Sequence, residues 1–378
     1  MLVDGNAFSR VVTWVHSAAQ MKSEGDLIIS FGSDGRGSVS SNTPSAFSSA
    51  TFDIVDEVPD EDLALVVPAA KLNDIARVIS TRKAKKLNIN CNEEGALVLR
   101  AEGMRFEVLS KVSDPMPNPK CDDIAKAGHE DFFSAMQLVS SLPEKTGGMS
   151  VAMGSVDVHF VDDTLTLFGT NGATLGVYKV DAELLADKFE DHILLPVSIV
   201  NADKPSTSDG SVRLVSGPGG RFGYKFEDGR MVLFSTLDSM PVNYTPVLKA
   251  FSGKAVYSVS VKSSELLTAI RDVTKVSSDK QIRLSFSANK KSLGVSSTVG
   301  GSMGGTALRV KSSPVSKTPS DIDVVVDAAS AIRVLRATGS DSISVSFGGE
   351  SDPLILRPLH GSVVDEDVTT ILSVIKQK

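Results

Sequence analysis

One hydrophobic pattern occurs three times along the chain: an apolar run typical of a buried strand continues directly into an amphipathic helix. It appears at residues 63–79, 192–204 and 321–337. The apolar runs end at Pro68, Pro196 and Asp327, which are spaced by 128 and 131 residues. A pattern that recurs at a nearly fixed spacing indicates repeated structural units.

A second amphipathic helix precedes this pattern in each third of the chain. It reads AFSRVVTWVHSAA, DFFSAMQLVSSL and SELLTAIRDVTKV, at residues 7–19, 131–142 and 264–276. Its anchors Phe8, Phe133 and Leu267 are spaced by 125 and 134 residues. Both spacings are close to one third of the 378 residues, so the sequence predicts three copies of one unit.

Between the helices, apolar and polar residues alternate, which is typical of half-buried strands. The alternating segments are residues 86–112, 155–170, 212–237 and 281–299. Proline-rich stretches at 114–120 and 240–248 are typical of extended joins between domains. We therefore predict an α+β fold of three repeated domains, each with two helices and antiparallel sheets, at residues 1–122, 123–249 and 250–378.

Composition places the chain among ordinary globular proteins. Apolar residues make up 41% and charged residues 22%, and the formal net charge is −7. No apolar run reaches the ~18–20 residues that a membrane helix needs, and no signal-peptide pattern opens the chain. The two cysteines, Cys91 and Cys121, are too few to staple a chain of this length. We expect a cytoplasmic protein without a membrane partner.

Motifs that would carry chemistry are missing from the sequence. The glycine-rich stretches at 32–37 and 217–223 lack the ending of a phosphate-binding loop and predict hairpin turns. The histidines have no metal-ligand spacing, and each is expected to be structural or exposed: His16, His129, His159, His192 and His360. The sequence predicts no catalytic residue, no metal and no cofactor, and therefore a protein that is not an enzyme.

Basic residues collect on the predicted helices although the whole chain is acidic. For one helix this indicates a solvated face, but recurrence in several repeats favours helices that converge on one polyanion. Such contacts bind the phosphates of a polyanion without reading bases. The candidate phosphate-binding residues, which become DNA contacts under the resemblance described next, are Arg10, Lys22, Lys71, Arg77, Arg82, Lys83, Lys86, Arg271, Arg333 and Arg336.

Four segments resemble the bacterial DNA polymerase III beta subunit, the replicative sliding clamp. LALVVPAAKLNDIARVI (63–79) is similar to the strand–helix join of its first domain, and LFGTNGATLGV (167–177) to its T-D-G-H-R-L-A turn. TLDSMPVNYTPVL (236–248) resembles its second linker, and TKVSSDKQIRLSFSANKKSLGVSS (274–297) resembles its third-domain helix and hairpin. The order and spacing of these matches cover essentially the whole chain.

The resemblance implies a head-to-tail homodimer whose six domains close a ring around duplex DNA, with helices inside and sheets outside. The family sets its first domain against its third, and the matching positions here are Phe106 and Val276. Clamps tether a replicative polymerase, are loaded by a clamp loader and recruit partners through a hydrophobic peptide pocket. The pocket would map onto Met153, Thr170, Gly172, Leu175, Pro241, Val247, Leu372 and Val374.

Two departures from the family concern this pocket. Ala173 and Thr174 stand where the family carries His-Arg, and the chain ends in TTILSVIKQK instead of a methionine-rich segment. These departures fit a divergent clamp, for example one encoded by a phage and working in the host cytoplasm. Two alternatives stay open at this point: a structural β-rich repeat protein of a virion, and a clamp-like decoy that binds replication peptides without encircling DNA.

Overall fold

The computed structural model describes residues 1–19, 25–92, 95–143, 151–161, 164–186, 192–197, 210–251, 257–277, 280–286, 292–298, 307–314, 321–350 and 352–375. The chain forms two compact units. The first comprises Met1–Phe132, Ala182–Glu190 and Ser198–Thr236. The second comprises Phe133–Asp181, Asp191–Val197 and Leu237–Lys378.

The described helices are α1 (Gly5–Ala18), α2 (Ala69–Thr81), α3 (His129–Val139), α4 (Thr245–Phe251), α5 (Ser263–Ser277) and α6 (Ala328–Ala337). Asp4 and Asp327 accept hydrogen bonds from backbone N–H groups in the first turns of α1 and α6, as helix-capping residues do. Helix α4 was not predicted. It begins inside the second proline-rich stretch, where Pro246 lies in the first turn and costs no intrahelical hydrogen bond.

The strands follow one order in three successive stretches of chain. The first stretch contains β1 (Leu2–Asp4), β2 (Asp26–Phe31), β3 (Arg36–Asn42), β4 (Ala46–Asp56), β5 (Leu63–Pro68), β6 (Lys86–Cys91), β7 (Leu97–Ala101), β8 (Met104–Val108) and β9 (Lys111–Ser113). The second contains β10 (Asp122–Gly128), β11 (Ser155–Val161), β12 (Thr164–Thr170), β13 (Thr174–Leu184), β14 (Ile193–Pro196), β15 (Ser211–Gly217), β16 (Arg221–Phe226) and β17 (Met231–Ser235). The third contains β18 (Tyr257–Lys262), β19 (Gln281–Phe286), β20 (Ser292–Ser297), β21 (Ala307–Pro314), β22 (Ile322–Asp327), β23 (Ser342–Phe347), β24 (Leu354–His360), β25 (Val363–Val364) and β26 (Val368–Leu372).

Each stretch pairs its strands in the same antiparallel way. The first strand pairs with the sixth, as β1–β6, β10–β15 and β18–β23. The second strand pairs with the fifth, as β2–β5, β11–β14 and β19–β22. The α+β fold predicted from the sequence is confirmed. The domain boundaries stay a prediction, and the helix expected after β14 falls in residues 198–209, outside the described part of the chain.

In the second and third stretches, the outer strand beyond the seventh, β17 or β26, also pairs with the fourth strand of the stretch before it. In the first stretch β8 holds this place, although β9 follows it and pairs with β5. Strand β17 joins β4, with Met231 opposite Ser49 and Leu233 opposite Phe47. In the same way β26 joins β13, with Thr369 opposite Val177 and Ile371 opposite Leu175. Among the described residues, β8 pairs only with β7, and the start of β21 pairs only with β20. The two strands that would continue this pattern are therefore free edges.

Two glycines let α3 lie close to the sheet formed by β11, β12 and β13. A Cβ atom on Gly169 would stand 2.6 Å from the carbonyl oxygen of Val139, and one on Gly176 would overlap the side chain of Leu142. Because the obstacle at Gly169 includes backbone, a neighbouring side-chain rotation cannot relieve it. This face of the sheet is therefore committed to the helix, which leaves the opposite face for other contacts.

We expect Gly169→Ala to destabilise the protein by about 1–3 kcal/mol, because overpacking forces the helix away from the sheet. Gly128→Ala is the matched control, since its Cβ would meet only the mobile Asp131 carboxylate, at 3.2 Å. Scanning calorimetry should show a lower unfolding midpoint for the first variant alone. Equal midpoints for both variants would contradict the close approach.

Candidate functional site

Five residues form an apolar floor on the sheet face opposite α3: Phe168, Leu175, Val177, Tyr244 and Ile371. Strand pairing sets this arrangement, because Phe168 lies opposite Val177 and Leu175 lies opposite Ile371. Directly paired residues share one face of a sheet. Each of the five keeps 5–7% of its surface exposed. They therefore lie just beneath the molecular surface.

The aromatic part of the floor is a stacked pair. The rings of Phe168 and Tyr244 are 4.6 Å apart between centroids and inclined by 6°. Tyr244 precedes α4, and its carbonyl oxygen accepts a hydrogen bond from the N–H of Leu248 at 3.0 Å. Val242 and Leu248 pack against the edge of the floor. The linker that carries Tyr244 is thereby fixed on the sheet.

A tight turn closes one end of the floor. The Thr170 hydroxyl donates to the carbonyl of Thr174 and accepts from the N–H of Gly172. The Asn171 side-chain oxygen accepts from the N–H of Thr174 at 2.8 Å. Gly172 has a φ of +87°, which side-chain-bearing residues rarely adopt. These bonds fix the turn without help from a partner.

Apolar side chains rise around the floor and stay exposed. Met240 is 87% exposed and Val247 on α4 is 37% exposed, while Pro241 between them is half-buried. The C-terminal residues bound the other side, where the N–H of Ser373 donates to the carbonyl of Ala173 and the N–H of Ile375 to that of Val325. The floor and its rim form a surface suited to an apolar peptide segment.

The structure brings most of the predicted pocket residues to this surface. Thr170, Gly172 and Leu175 lie in or beside the turn. A Cβ atom on Gly172 would stand 3.6 Å from the sulfur of Met153, so that side chain lies against the same turn. Val374 is half-buried in the C-terminal segment.

Leu372 is placed differently from the other predicted pocket residues. It pairs with Thr174 and alternates to the face opposite Leu175, so Ile371 takes its place in the floor. Sequence reasoning missed the other floor residues as well: Phe168, Val177 and Tyr244, with Val242 and Leu248 at the edge. Two signals in the sequence could have found them. Phe168 lies two residues before the predicted pocket residue Thr170 and so shares its face in an alternating strand, and Tyr244 is the single aromatic residue of the second linker.

A buried ion pair lies on the same sheet face. The Asp157 side chain is fully buried, and its carboxylate is 3.0 Å from Nδ1 of His192. The His192 ring stacks on His159 with centroids 4.2 Å apart. Burial raises the pKa of Asp157 while the neighbouring His192 counteracts it. No local sequence pattern indicated that these two histidines meet.

Burial also raises the pKa of the Tyr244 phenol well above its usual value, and the charge of Asp157 adds to this effect. The phenol therefore stays protonated and neutral over the working pH range, which suits the floor of an apolar site.

The predicted basic residues of the helices are mostly exposed. Arg10 lies on α1 and Lys71 and Arg77 on α2, while Arg271 and Arg336 lie on α5 and α6. Burial lowers the pKa of His16 and the positive charge of Arg77 adds to this effect, although Asp74 opposes it. Helix α1 ends at Ala18, and Lys22 lies outside the described residues.

Helix α2 ends in a turn that places a lysine where glycine is usual. The N–H of Lys83 donates to the carbonyl of Ser80 and the N–H of Ala84 to that of Ile79, which is a Schellman motif. Lys83 has a φ of +54° in this motif. An exposed cation thus occupies a left-handed backbone position next to Arg82.

Arg333 has a partner inside the protein. It is half-buried, and its Nη1 donates to the carbonyl oxygen of Leu142 at 3.2 Å, just beyond the end of α3. A cation is favourable there, because the carbonyl end of a helix carries partial negative charge. Part of this guanidinium is therefore engaged in joining α6 to the end of α3.

Of the two predicted dimer-interface residues, Phe106 lies on a free edge strand and Val276 lies on a helix. Phe106 is half-buried on β8, and Val276 near the end of α5 is 70% exposed. No group of three metal-binding side chains is placed to hold an ion in the part of the chain that the structure describes. Among the same residues, no helix has the length and apolar character needed to cross a membrane.

We expect Arg333→Leu to lower the stability of the protein by about 1 kcal/mol, because the variant loses a hydrogen bond from a charged donor. Arg336→Leu removes an exposed cation from the same helix and should leave stability unchanged. Calorimetric unfolding midpoints measure both. A pair of unchanged midpoints would mean that Arg333 is free to bind elsewhere.

Known proteins were compared by sequence and by structure. No protein-family model matches the sequence, and no curated protein matches it significantly. The Pseudomonas aeruginosa DNA polymerase sliding clamp matches with a TM-score of 0.80 and 12% identity, over 100% of this chain and 99% of that chain. The Thermotoga maritima DNA polymerase III beta subunit matches with a TM-score of 0.79 and 15% identity, over 100% and 99%.

A third similar structure carries a bound peptide. The Helicobacter pylori beta clamp bound to a DNA ligase peptide matches with a TM-score of 0.75 and 13% identity, over 100% of both chains. The resemblance seen in the sequence is therefore confirmed at the level of the fold. Over its whole length, this chain has the fold of the bacterial DNA polymerase III beta sliding clamps.

Proposed function

We propose that this chain is a DNA sliding clamp, a non-catalytic processivity factor that encircles duplex DNA as a homodimer and tethers a replicative polymerase. The observation that carries the proposal is the strand pairing that joins one stretch of chain to the next, which we call a joint. Two joints, β17–β4 and β26–β13, form inside the chain. The strands that would form a third, β8 and the start of β21, are free edges. In a homodimer, β8 of each copy can pair with β21 of the other, so the third joint forms twice.

The internal joints predict the register of the joint between copies. Met231 opposite Ser49 and Thr369 opposite Val177 hold the same place in the pairing pattern. The matching residues of the free edges are Arg105 on β8 and Ala307 on β21. Met104 would then lie opposite Leu308 of a second copy. A heterologous contact of this kind closes into a ring when the rotation allows it.

Exposed apolar residues at both edges support this contact. Val78 is 42% and Leu109 is 83% exposed near β8, and Leu308 is 36% exposed on β21. A cavity of about 400 Å³ lies between α5 and β21 and is lined in part by Ala269, Leu308 and Val310. The rest of the lining is polar and includes Glu265, Asp272 and Arg309, so Phe106 of a second copy would contact the apolar part of the cavity. Burial of such edges also removes a site of aggregation.

The exposed basic residues of α1, α2, α5 and α6 support DNA as the partner. Contacts to phosphate give salt-dependent attraction without a fixed register, which suits sliding. The strained Lys83 agrees with selection for charge over stability. The ten candidate residues stay a prediction, and Arg333 is the one whose internal hydrogen bond limits its reach.

The apolar floor supports a second partner class, a short peptide from a polymerase or a clamp loader. Its stacked rings, fixed turn and exposed rim offer apolar burial together with few polar groups. The DNA ligase peptide on the Helicobacter pylori clamp fits the same interpretation. The cytoplasmic location expected from the sequence stays a prediction.

Light scattering and a DNA-retention assay test the ring together. The protein should have twice the 39.9 kDa mass of one chain and stay on nicked circular DNA after loading, but leave linear DNA. Phe106→Asp should give monomers and lose retention, because a charge would be buried at the joint. Val55→Asp, at a 66% exposed position of β4, is the control and should behave as the unchanged protein.

Three outcomes would contradict the ring. A dimeric Phe106→Asp variant would remove β8 from the interface. A monomeric unchanged protein that still binds peptide would favour the decoy alternative. Large open assemblies would favour the structural alternative.

A peptide-binding assay tests the floor. The DNA ligase peptide of the Helicobacter pylori clamp, labelled with a fluorophore, should bind the unchanged protein, and Tyr244→Ala should weaken binding about tenfold or more. Fluorescence anisotropy measures both. Val363→Ala, at a 67% exposed position of the same unit, serves as control. Equal affinities for all three proteins would show that the peptide binds elsewhere.

A further inference from the structure

An open cavity of about 430 Å³ lies on the sheet formed by β1, β6, β7 and β8. Leu2, Met104 and the turn residues Ala101, Glu102 and Gly103, of which Glu102 brings one negative charge, line it together with Lys86, Asn88, Arg100 and Arg105. These polar residues alternate with the buried Leu87, Ile89 and Leu99, so they share the other face of the sheet. We call it the reverse face. Lys86, predicted as a DNA contact beside α2, belongs to this cavity.

Like charges face one another directly in this cavity. Arg100 is the cross-strand partner of Arg105, and Asn88 is the partner of Arg100 on its other side. Like charges directly opposite across a sheet are destabilising. The positive charge of Arg105 is compensated by Glu107, whose carboxylate lies 3.1 Å from Nη2 of Arg105. Within the described residues, neither Lys86 nor Arg100 has a salt bridge or hydrogen bond through its side chain.

The corresponding cations of the other two stretches face different neighbours. In the second, Lys225 lies opposite Arg213, whose guanidinium is bound by Asp123 at 2.6 Å, and opposite Met231 on its other side. In the third, Arg357 lies opposite Ser344 and donates to the Thr369 hydroxyl at 3.1 Å. The first stretch differs in that Arg100 has a second arginine, Arg105, directly opposite it.

The side-chain amide of Asn88 lies on the same face, opposite Arg100. Its oxygen is buried and has no hydrogen-bond partner within the described part of the chain, and as an acceptor it does not bind phosphate oxygens. Its nitrogen carries two N–H donors, and the acceptor oxygens of an anionic ligand would use these together with the guanidinium of Arg100.

We propose that this cavity binds a phosphate group. Guanidinium groups match phosphate oxygens in pairs, Lys86 supplies a point charge and Asn88 supplies neutral donors. Strand pairing at the β8 edge extends the sheet within its plane, so the reverse face stays open in the proposed dimer. The phosphate comes either from a free polyphosphate or from a nucleic-acid backbone running along the outside of the sheet.

Calorimetric titration with pyrophosphate at constant ionic strength tests the site. The unchanged protein should bind, and Arg100→Gln and Arg105→Gln should each weaken binding about tenfold. Lys225→Gln removes the equivalent cation of the second stretch and should leave the affinity unchanged. Circular dichroism confirms that each variant is folded, as expected for exposed side chains.

A single-stranded ten-nucleotide DNA separates the two sources of phosphate. If pyrophosphate binds in an Arg100-dependent way and the DNA does not compete, the ligand is a free polyphosphate. If only the DNA binds and Arg100→Gln weakens it while Lys225→Gln does not, the ligand is a nucleic-acid backbone. Binding that is equally lost in the Arg100 and Lys225 variants, or no binding of either probe, would overturn the proposal. Neither result depends on ring closure.

Discussion

The rest of this architecture depends on one interaction, the backbone hydrogen bonding that joins β17 and β26 to the fourth strand of the stretch before each of them. This pairing aligns β17 with β4 and β26 with β13, and among the described residues it leaves the edges of β8 and β21 unpaired. The apolar floor exists only because β26 brings Ile371 beside Leu175, and the segment after β26 then bounds the site. The proposed dimer and the proposed peptide site are therefore two results of the same pairing rule.

The two internal joints share one backbone pairing but differ in the side chains that cover them. In the first joint, Phe47, Val215, Met231 and Leu233 are covered by Met116 and Cys121 of the first linker and are 0–4% exposed. There Ser49 donates to the Asn118 side chain at 2.7 Å. In the second joint, Val177 replaces Ser49 in the pairing pattern and Tyr244 stacks on Phe168. Both joints are thus covered by the linker that follows the earlier of the two paired stretches, and the second joint leaves 5–7% of each floor residue exposed against 0–4% in the first.

The sequence was sufficient for the repeats and the strand-to-helix joins, because periodicity in those segments is long and regular. It was insufficient for the site, because a strand register cannot be read from alternation alone and a shift of one residue exchanges the two faces. That is why Leu372 was expected where Ile371 lies, and why Lys86 was assigned to the helix side. The meeting of His159 with His192 and the bond from Arg333 to Leu142 join residues far apart in sequence, and no local pattern encodes them.

The left-handed backbone of Lys83 has a consequence for how this protein can change. A lysine in that conformation costs about 1 kcal/mol relative to glycine, so the most stabilising single substitution at the end of α2 is also one that deletes a cation. Selection for stability alone would favour glycine at position 83, whereas selection for positive charge would favour lysine. The residue found at position 83 in a variant of this chain therefore indicates which of the two pressures dominated. Laboratory evolution that selects only for heat resistance should replace this lysine early.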